Sequence, residues 1–238
     1  MGNFVSVRIK HNKNTGHNHD LRLRKNDKFI DHSKSHLNQV IASDHNVENS
    51  SNNNFFKNLL NRVKRSIQKL SKDEAGKKWY SNSPNFIQGV ITFGVEAKET
   101  GKLDDKEKLD ACATDFVNKF REEHDLRADA LIYLTRHEDE TTTHYHFELM
   151  QQKKNGKSAR RDFNNEPYTD EERKNDKSLK GWKVDKTAEI QDLAAESFKA
   201  IGLVRGIKKA VRLEETPDLN TNYVSPAEHR VEAERQTK

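Results

Sequence analysis

Two apolar runs, ADALIYLTRH (Ala128–His137) and THYHFELMQQ (Thr143–Gln152), are joined by the short polar link EDETTT, and this arrangement constrains the fold more than any other feature of the sequence. Each run has strand length and is rich in aromatic and branched residues, so the pair predicts a β-hairpin. Apolar side chains on both faces place such strands in the middle of a sheet. His144 and His146 are two residues apart, which on a strand puts both imidazoles on one face and Tyr145 on the other. The hairpin brings His137, at the end of the first strand, beside that pair. Three neutral imidazoles that leave coordination positions open suit a catalytic divalent metal, because a structural site fills every position with protein ligands. Asp139 and Glu140, in the link, can complete the ligand set or hold a ligand's second nitrogen. Exposed histidines beside a solvated acidic loop are the plain alternative for an H-x-H pair; the third histidine and the two carboxylates favour the metal.

Around this hairpin the chain alternates strands and helices, which predicts an α/β fold: a mainly antiparallel sheet of about five strands with helices packed on one face. Val5, Val7 and Ile9 alternate with polar residues, so Asn3–Ile9 predicts a first strand rather than a signal peptide. Lys10–Ser35 lacks an apolar period and predicts a loop or extended arm, and Ser35–Ile41 a short ordered piece. The Asn/Ser tract near residues 44–54 favours turns and flexibility. Asn54 can cap a helix in which Phe55, Phe56, Leu59, Leu60, Val63, Ile67 and Leu70 form one stripe and Lys57, Arg62, Lys64, Arg65 and Lys69 the other face. FIQGVITFGV (Phe86–Val95) predicts another central strand, and Asp104–Asp125 a helix with Leu109, Cys112, Phe116, Val117 and Phe120 inward. Residues 153–186 form a charged, flexible insertion. Asp185–Ile201 resumes helical spacing, with Gly202 placed to end it. Residues 213–238 predict a linker and the start of a C-terminal helical tail.

A length of 238 residues suits one α/β domain with appendages. Charged residues (34%) outnumber hydrophobic ones (32%), so the core is modest. The net charge of +5 is unevenly distributed. Residues 1–78 hold sixteen basic and seven acidic side chains, residues 79–152 eight and fifteen, and residues 153–238 nineteen and sixteen. Basic ends around an acidic centre suit a chain that lays its ends on phosphates and holds cations in its middle. No apolar run approaches a membrane span. The single cysteine, Cys112, excludes an intramolecular disulfide and fits a reducing cytoplasm.

The motif HEDETTTHYH, with His137, Asp139, Glu140, His144 and His146, resembles the H-x-D-E-x-x-x-H-x-H signature of the Mob/Pre (MobV-type) plasmid mobilisation relaxases, a branch of the HUH endonucleases. Thr143 stands where that family commonly has proline. Upstream, NDKFIDHSKSHLN resembles the family's N-x-D-I-x-x-S-R-S-x-x-N segment, with Ser33, Ser35 and Asn38 in place and Lys34 for the usual arginine. IGLVRG (Ile201–Gly206) is similar to a Gly-Leu-x-Arg-Gly echo in many relatives. The family's first motif is a His-Asn pair whose histidine is the nucleophile. Two pairs compete here, His11-Asn12 and His17-Asn18; His17 lies nineteen residues before His36 and His11 twenty-five, and the shorter interval resembles the family's.

The resemblance implies an HUH-type relaxase fold over residues 1–212. It implies metal-dependent, strand-specific nicking and rejoining at a plasmid transfer origin, through a covalent 5′-phosphate intermediate on histidine. His17, Glu140 and Asp139 would be catalytic, His137, His144 and His146 would hold Mn2+ or Mg2+, and the partner would be single-stranded or hairpin origin DNA. Candidate DNA contacts are Arg22, Arg24, Lys25, Ser33, Lys34, Ser35 and Asn38 in the N-terminal arm, Arg62, Lys64 and Arg65 on the first helix, and Lys153, Lys154, Arg160 and Arg161 after the hairpin. Phe163, Tyr168 and Trp182 offer rings for unpaired bases, or anchors for their loop. A homo-oligomer formed through a region beyond Lys238 is compatible with the sequence. Two other classes remain open: a rolling-circle replication initiator of the HUH class, and a non-enzymatic basic DNA-binding module with a structural metal.

Overall fold

The computed structural model describes residues 3–12, 30–31, 33–47, 53–79, 83–140, 142–164, 166–167, 169–176 and 182–206. In chain order these form β1 (Phe4–Asn12), β2 (Gln39–Ala42), α1 (Asn53–Ala75), β3 (Phe86–Phe93), α2 (Val95–Glu99), α3 (Lys106–Glu123), β4 (Leu131–His137), β5 (His144–Met150), β6 (Glu166–Pro167), α4 (Asp170–Asn175), β7 (Trp182–Val184), α5 (Lys186–Phe198) and β8 (Val204–Arg205). Six strands make the main sheet in the order β2-β4-β5-β3-β1-β8, and β6 with β7 makes a small separate ribbon. Every pairing in the main sheet is antiparallel except β1 with β8. The sixth strand beyond the five expected is β8, whose two residues are too few to show an apolar period.

The central strands are those with apolar residues on both faces: all seven residues of β4 are buried. β1 runs on through Lys10, His11 and Asn12, where a loop is expected, because each of these pairs with β3. Val95, expected at the end of a strand, instead starts the short helix α2 after Gly94. Two helices, α3 and α5, start where side chains satisfy free amides. Asp105 accepts from Lys108 N at 3.1 Å to cap α3, and Asp185 from Ala188 N at 3.1 Å to cap α5. Gly202 ends the last helical turn in the left-handed conformation, φ 74°. Among the described residues no helix is long and apolar enough to cross a membrane.

α3 and α5 cover one face of the sheet. On that face Phe147 packs against Phe116 and Phe120 of α3, and Tyr145 and Phe198 of α5 meet around Phe93. α1 buries Phe56, Leu59, Val63 and Ile67 and exposes its basic stripe. It is tied to the end of the hairpin, where Gln152 donates to Ile67 O at 2.9 Å and Arg127 to Ser66 Oγ at 2.7 Å. Residues 44–47 are tied to β4, with Asp44 N donating to Leu131 O at 2.9 Å and Leu131 N to the Asp44 carboxylate at 2.8 Å.

Gly89 sits opposite Phe147 across the β3–β5 ladder, and a Cβ there would lie 1.9 Å from the ring. The ring is held by Phe116 and Phe120 and has no room to retreat. Gly89→Ala is therefore expected to cost about 3 kcal/mol or more, as overpacking of a closed core does; an unchanged urea midpoint would refute the close fit.

His124, at the C-terminus of α3, is wedged between Phe120 and Phe163 at ring distances of 4.7 and 4.4 Å. Burial pushes its pKa down from 6.5 to about 4, against the opposing pull of Asp162. The unfolded chain therefore takes up this proton first, so stability falls as pH drops from about 6.5 towards 4. His124→Phe should abolish a component of acid destabilisation on the order of 3 kcal/mol, measured as the difference in urea stability between pH 7 and pH 4. Equal acid sensitivity in both proteins would count against it.

Candidate metal centre

The β4–β5 register sets His137 directly opposite His144 and Thr135 opposite His146, so all three imidazoles share the face away from α3. Their ring centroids are 5.1, 4.6 and 5.0 Å apart, and one ligand nitrogen from each lies within 4.8 Å of the others. His137 is fully buried, His144 nearly so and His146 half-buried, which gives a cluster closed below and open on one side. His144 Nδ1 lies 2.9 Å from Thr142 O. A carbonyl only accepts, so Nδ1 carries the proton and, in the neutral ring, Nε2 is the nitrogen that holds the lone pair. Nitrogen donors at this separation with one preset tautomer fit a divalent ion.

The link between the strands is braced from two sides. Asp139, fully buried, accepts from Ser35 Oγ at 2.8 Å and Asn38 Nδ2 at 2.7 Å, while its own carbonyl accepts from Asp31 N at 2.9 Å. Asn38 Oδ1 in turn accepts from Glu138 N at 2.8 Å. On the other side Thr143 Oγ1 donates to Glu138 at 2.7 Å, and Lys106 of α3 reaches both Thr143 (3.1 Å) and Glu138 (2.8 Å). Glu140 is half-buried, 3.8 Å from His144 Nε2, and forms with His137 and Asp139 a second group of ligand atoms within 4.8 Å.

Sequence reasoning missed three residues of this neighbourhood. Glu148 continues the alternation of His144 and His146, so the H-x-H-x-E spacing puts it on the same face. There it is fully buried and accepts from Tyr133 Oη at 3.0 Å and Gln88 Nε2 at 2.9 Å. The period of two could have found Glu148; Gln88 and Tyr133 depend on the register between strands.

Two other candidate groups, Tyr145 and His11, lie off the face of the trio. Tyr145 projects to the other face and donates to Asp110 at 2.7 Å, and burial, with that carboxylate, raises its phenol pKa further. His11 pairs with Ile87, in line with Leu149 and Phe147 on the face opposite the trio. It is bonded to Gln151 and packed on Phe163. His17, Arg22, Arg24 and Lys25 lie outside the described residues, as does Tyr168.

Of the proposed DNA contacts, Arg62, Lys64, Arg65, Arg160 and Arg161 are exposed. Lys153 is paired with Asp162 at 2.6 Å and Lys154 with Asp125 at 3.3 Å. Ser33 and Lys34 both bind Asp31, at 2.6 and 3.3 Å. Phe163 is stacked on Phe120 and anchors its loop to the core.

No family model and no curated protein matches the sequence. Solved structures do. One is a Mn-bound crystal structure of the MobM relaxase domain (MOBV; Mob_Pre) with plasmid pMV158 oriT DNA: it is 19% identical, covers 86% of this chain and 90% of that chain, and has a TM-score of 0.56. A second Mn-bound complex of the same domain, at pH 5.5, is 18% identical, covers 95% and 98%, and also has a TM-score of 0.56. The chain has the fold of a MobV relaxase domain. In this relaxase fold the imidazole trio sits on the two strands that the sequence marks as most buried.

The Thr143 bridge can be removed on its own. Thr143→Val keeps the side-chain shape but deletes the hydroxyl between two charged groups, and should cost about 1–3 kcal/mol, with faster amide exchange across residues 138–142. Unchanged exchange there would show that the link is held without it.

Proposed function

We propose that this protein nicks and rejoins one strand of plasmid DNA at a transfer origin, as a metal-dependent relaxase. The observation that carries the reading is the trio His137, His144 and His146, two of them buried and one with its tautomer set, on the central strands of a relaxase fold. The neighbour of that fold is a Mn-bound domain in complex with oriT DNA, and the donor set of this chain suits the same kind of ion. A divalent cation held by the trio supplies Lewis acidity towards the oxygens of the scissile phosphate. Imidazole nitrogen disfavours Mg2+, an oxygen-seeking ion, so Mn2+ is the expected preference.

His17 is the nucleophile in this reading. Its neutral ring attacks phosphorus without prior loss of a proton, which tyrosine, with a pKa of about 10, would require. A P–N bond to the 5′ phosphate forms as the P–O3′ bond breaks; the ring's other nitrogen releases its proton to Glu140 or water, and the departing 3′ oxygen takes one up from water. The bond energy is kept in the adduct, so the same 3′ hydroxyl can reverse the step. Glu140, at the half-buried rim, orients the ring or accepts its proton. The basic residues of α1 and of residues 153–161 lie along the DNA backbone, so binding weakens with salt.

The test is supercoiled plasmid carrying a transfer origin, with Mn2+, Mg2+ or chelator. Nicked circles with protein on the 5′ end are expected in Mn2+, less product in Mg2+ and none in chelator. His17→Ala should lose nicking by on the order of 10³-fold or more while still binding Mn2+ and DNA. Binding without cleavage would make the protein a DNA-binding module, and cleavage only at a replication origin would make it a replication initiator. An adduct that survives in His17→Ala would move the nucleophile elsewhere.

A further inference from the structure

We propose that Ser35 and Asn38 are positioning residues of the metal centre, acting through Asp139, rather than contacts to DNA. The inference rests on the cation-binding part of the proposed function. Both side chains donate to the same carboxylate, Ser35 Oγ at 2.8 Å and Asn38 Nδ2 at 2.7 Å, and neither is fully exposed. Asn38 uses its other end as well, accepting from Glu138 N at 2.8 Å, so one amide grips two successive residues of the β4–β5 link. Asp31 N adds a third hold, on the Asp139 carbonyl at 2.9 Å.

These bonds fix more than a loop. Asp139 is fully buried, and its carboxylate, His137 and Glu140 each present a ligand atom within 4.8 Å of the others. Two neutral donors on one side of the carboxylate fix its rotamer and direct its negative charge towards His137, where it can orient the ring and raise the basicity of the nitrogen aimed at a cation. The donors sit on the turn Ser35–Leu37 and its C-cap Asn38, immediately before the edge strand β2, which pairs with β4 from Gln39↔Arg136. Strand pairing thus sets the turn, the turn sets the carboxylate, and the carboxylate sets the imidazole. Ser33 and Lys34 hold Asp31 instead, which keeps the same turn closed.

The experiment measures Mn2+ binding by calorimetry on the whole chain, and separately the affinity for an origin oligonucleotide in chelator. The Ser35→Ala/Asn38→Ala double variant should weaken Mn2+ about a hundredfold and Ser35→Ala alone about tenfold, with metal-free DNA affinity unchanged. Ser35→Thr, which keeps the hydroxyl, should restore Mn2+ binding. The single variant serves if the double one does not fold, since it deletes one oxygen from a half-buried site. Wild-type Mn2+ affinity in Ser35→Ala, or a loss of metal-free DNA binding with Mn2+ binding intact, overturns the inference and returns both residues to the DNA interface. A wild-type protein that binds no Mn2+ overturns the proposed function as well, whereas the first two outcomes leave that function standing.

Discussion

Everything at the centre depends on the register of β4 against β5. His137 faces His144 and Thr135 faces His146 only in the observed alignment. A slip of one residue would turn the side chains of one strand to the opposite face, exchanging imidazoles for Tyr145 and Phe147. The register is held because the same alternation buries Tyr145, Phe147 and Leu149 against α3 and its neighbours. Gly89 lets the Phe147 ring lie across β3, which locks the neighbouring ladder too. The hydrophobic packing of one face therefore decides the chemistry of the other.

That other face is unusually polar for the middle of a sheet. Asp139 and Glu148 are fully buried carboxylates, one bonded to Ser35 and Asn38, the other to Tyr133 and Gln88. Buried charge is costly unless hydrogen bonds or an opposite charge compensate it. Two such carboxyl groups on the side of three imidazoles offer oxygen and nitrogen lone pairs, which suit a cation rather than an anion. On the helical face Arg136 pairs with Asp110, which also accepts from Tyr145. The two faces thus divide the work, one holding structure and one holding the site.

Much of this was legible in the sequence because it rests on local periodicity. The two-residue alternation of THYHFELM gave the faces of β5, and the three-and-four spacing of Phe116 and Phe120 gave the inward side of α3. The motif around His137 also pointed to the relaxase fold that the solved neighbours share. Long-range matters were not legible. The bonds of Ser35 and Asn38 to Asp139 are an example, because nothing within SKSHLN reveals a carboxylate a hundred residues away. Only strand pairing shows that His11 lies on the face opposite the trio. β8 escaped notice since two residues have no period, and the work of Thr143 in place of a proline emerged only with Lys106 and Glu138 in view.

The sheet's connectivity bears on how such a chain reaches its final shape. Of the strand pairs in the main sheet, β4–β5 is joined by a few residues, whereas β1–β3, β2–β4, β3–β5 and β1–β8 all span long stretches of chain. Loop-closure entropy is smallest for the short hairpin and grows with each remote pairing. The strands that carry the three histidines are therefore the cheapest to bring together, and the turn that steadies Asp139 arrives later, with β2. Loop-closure cost thus favours aligning the imidazoles ahead of the braces that surround them.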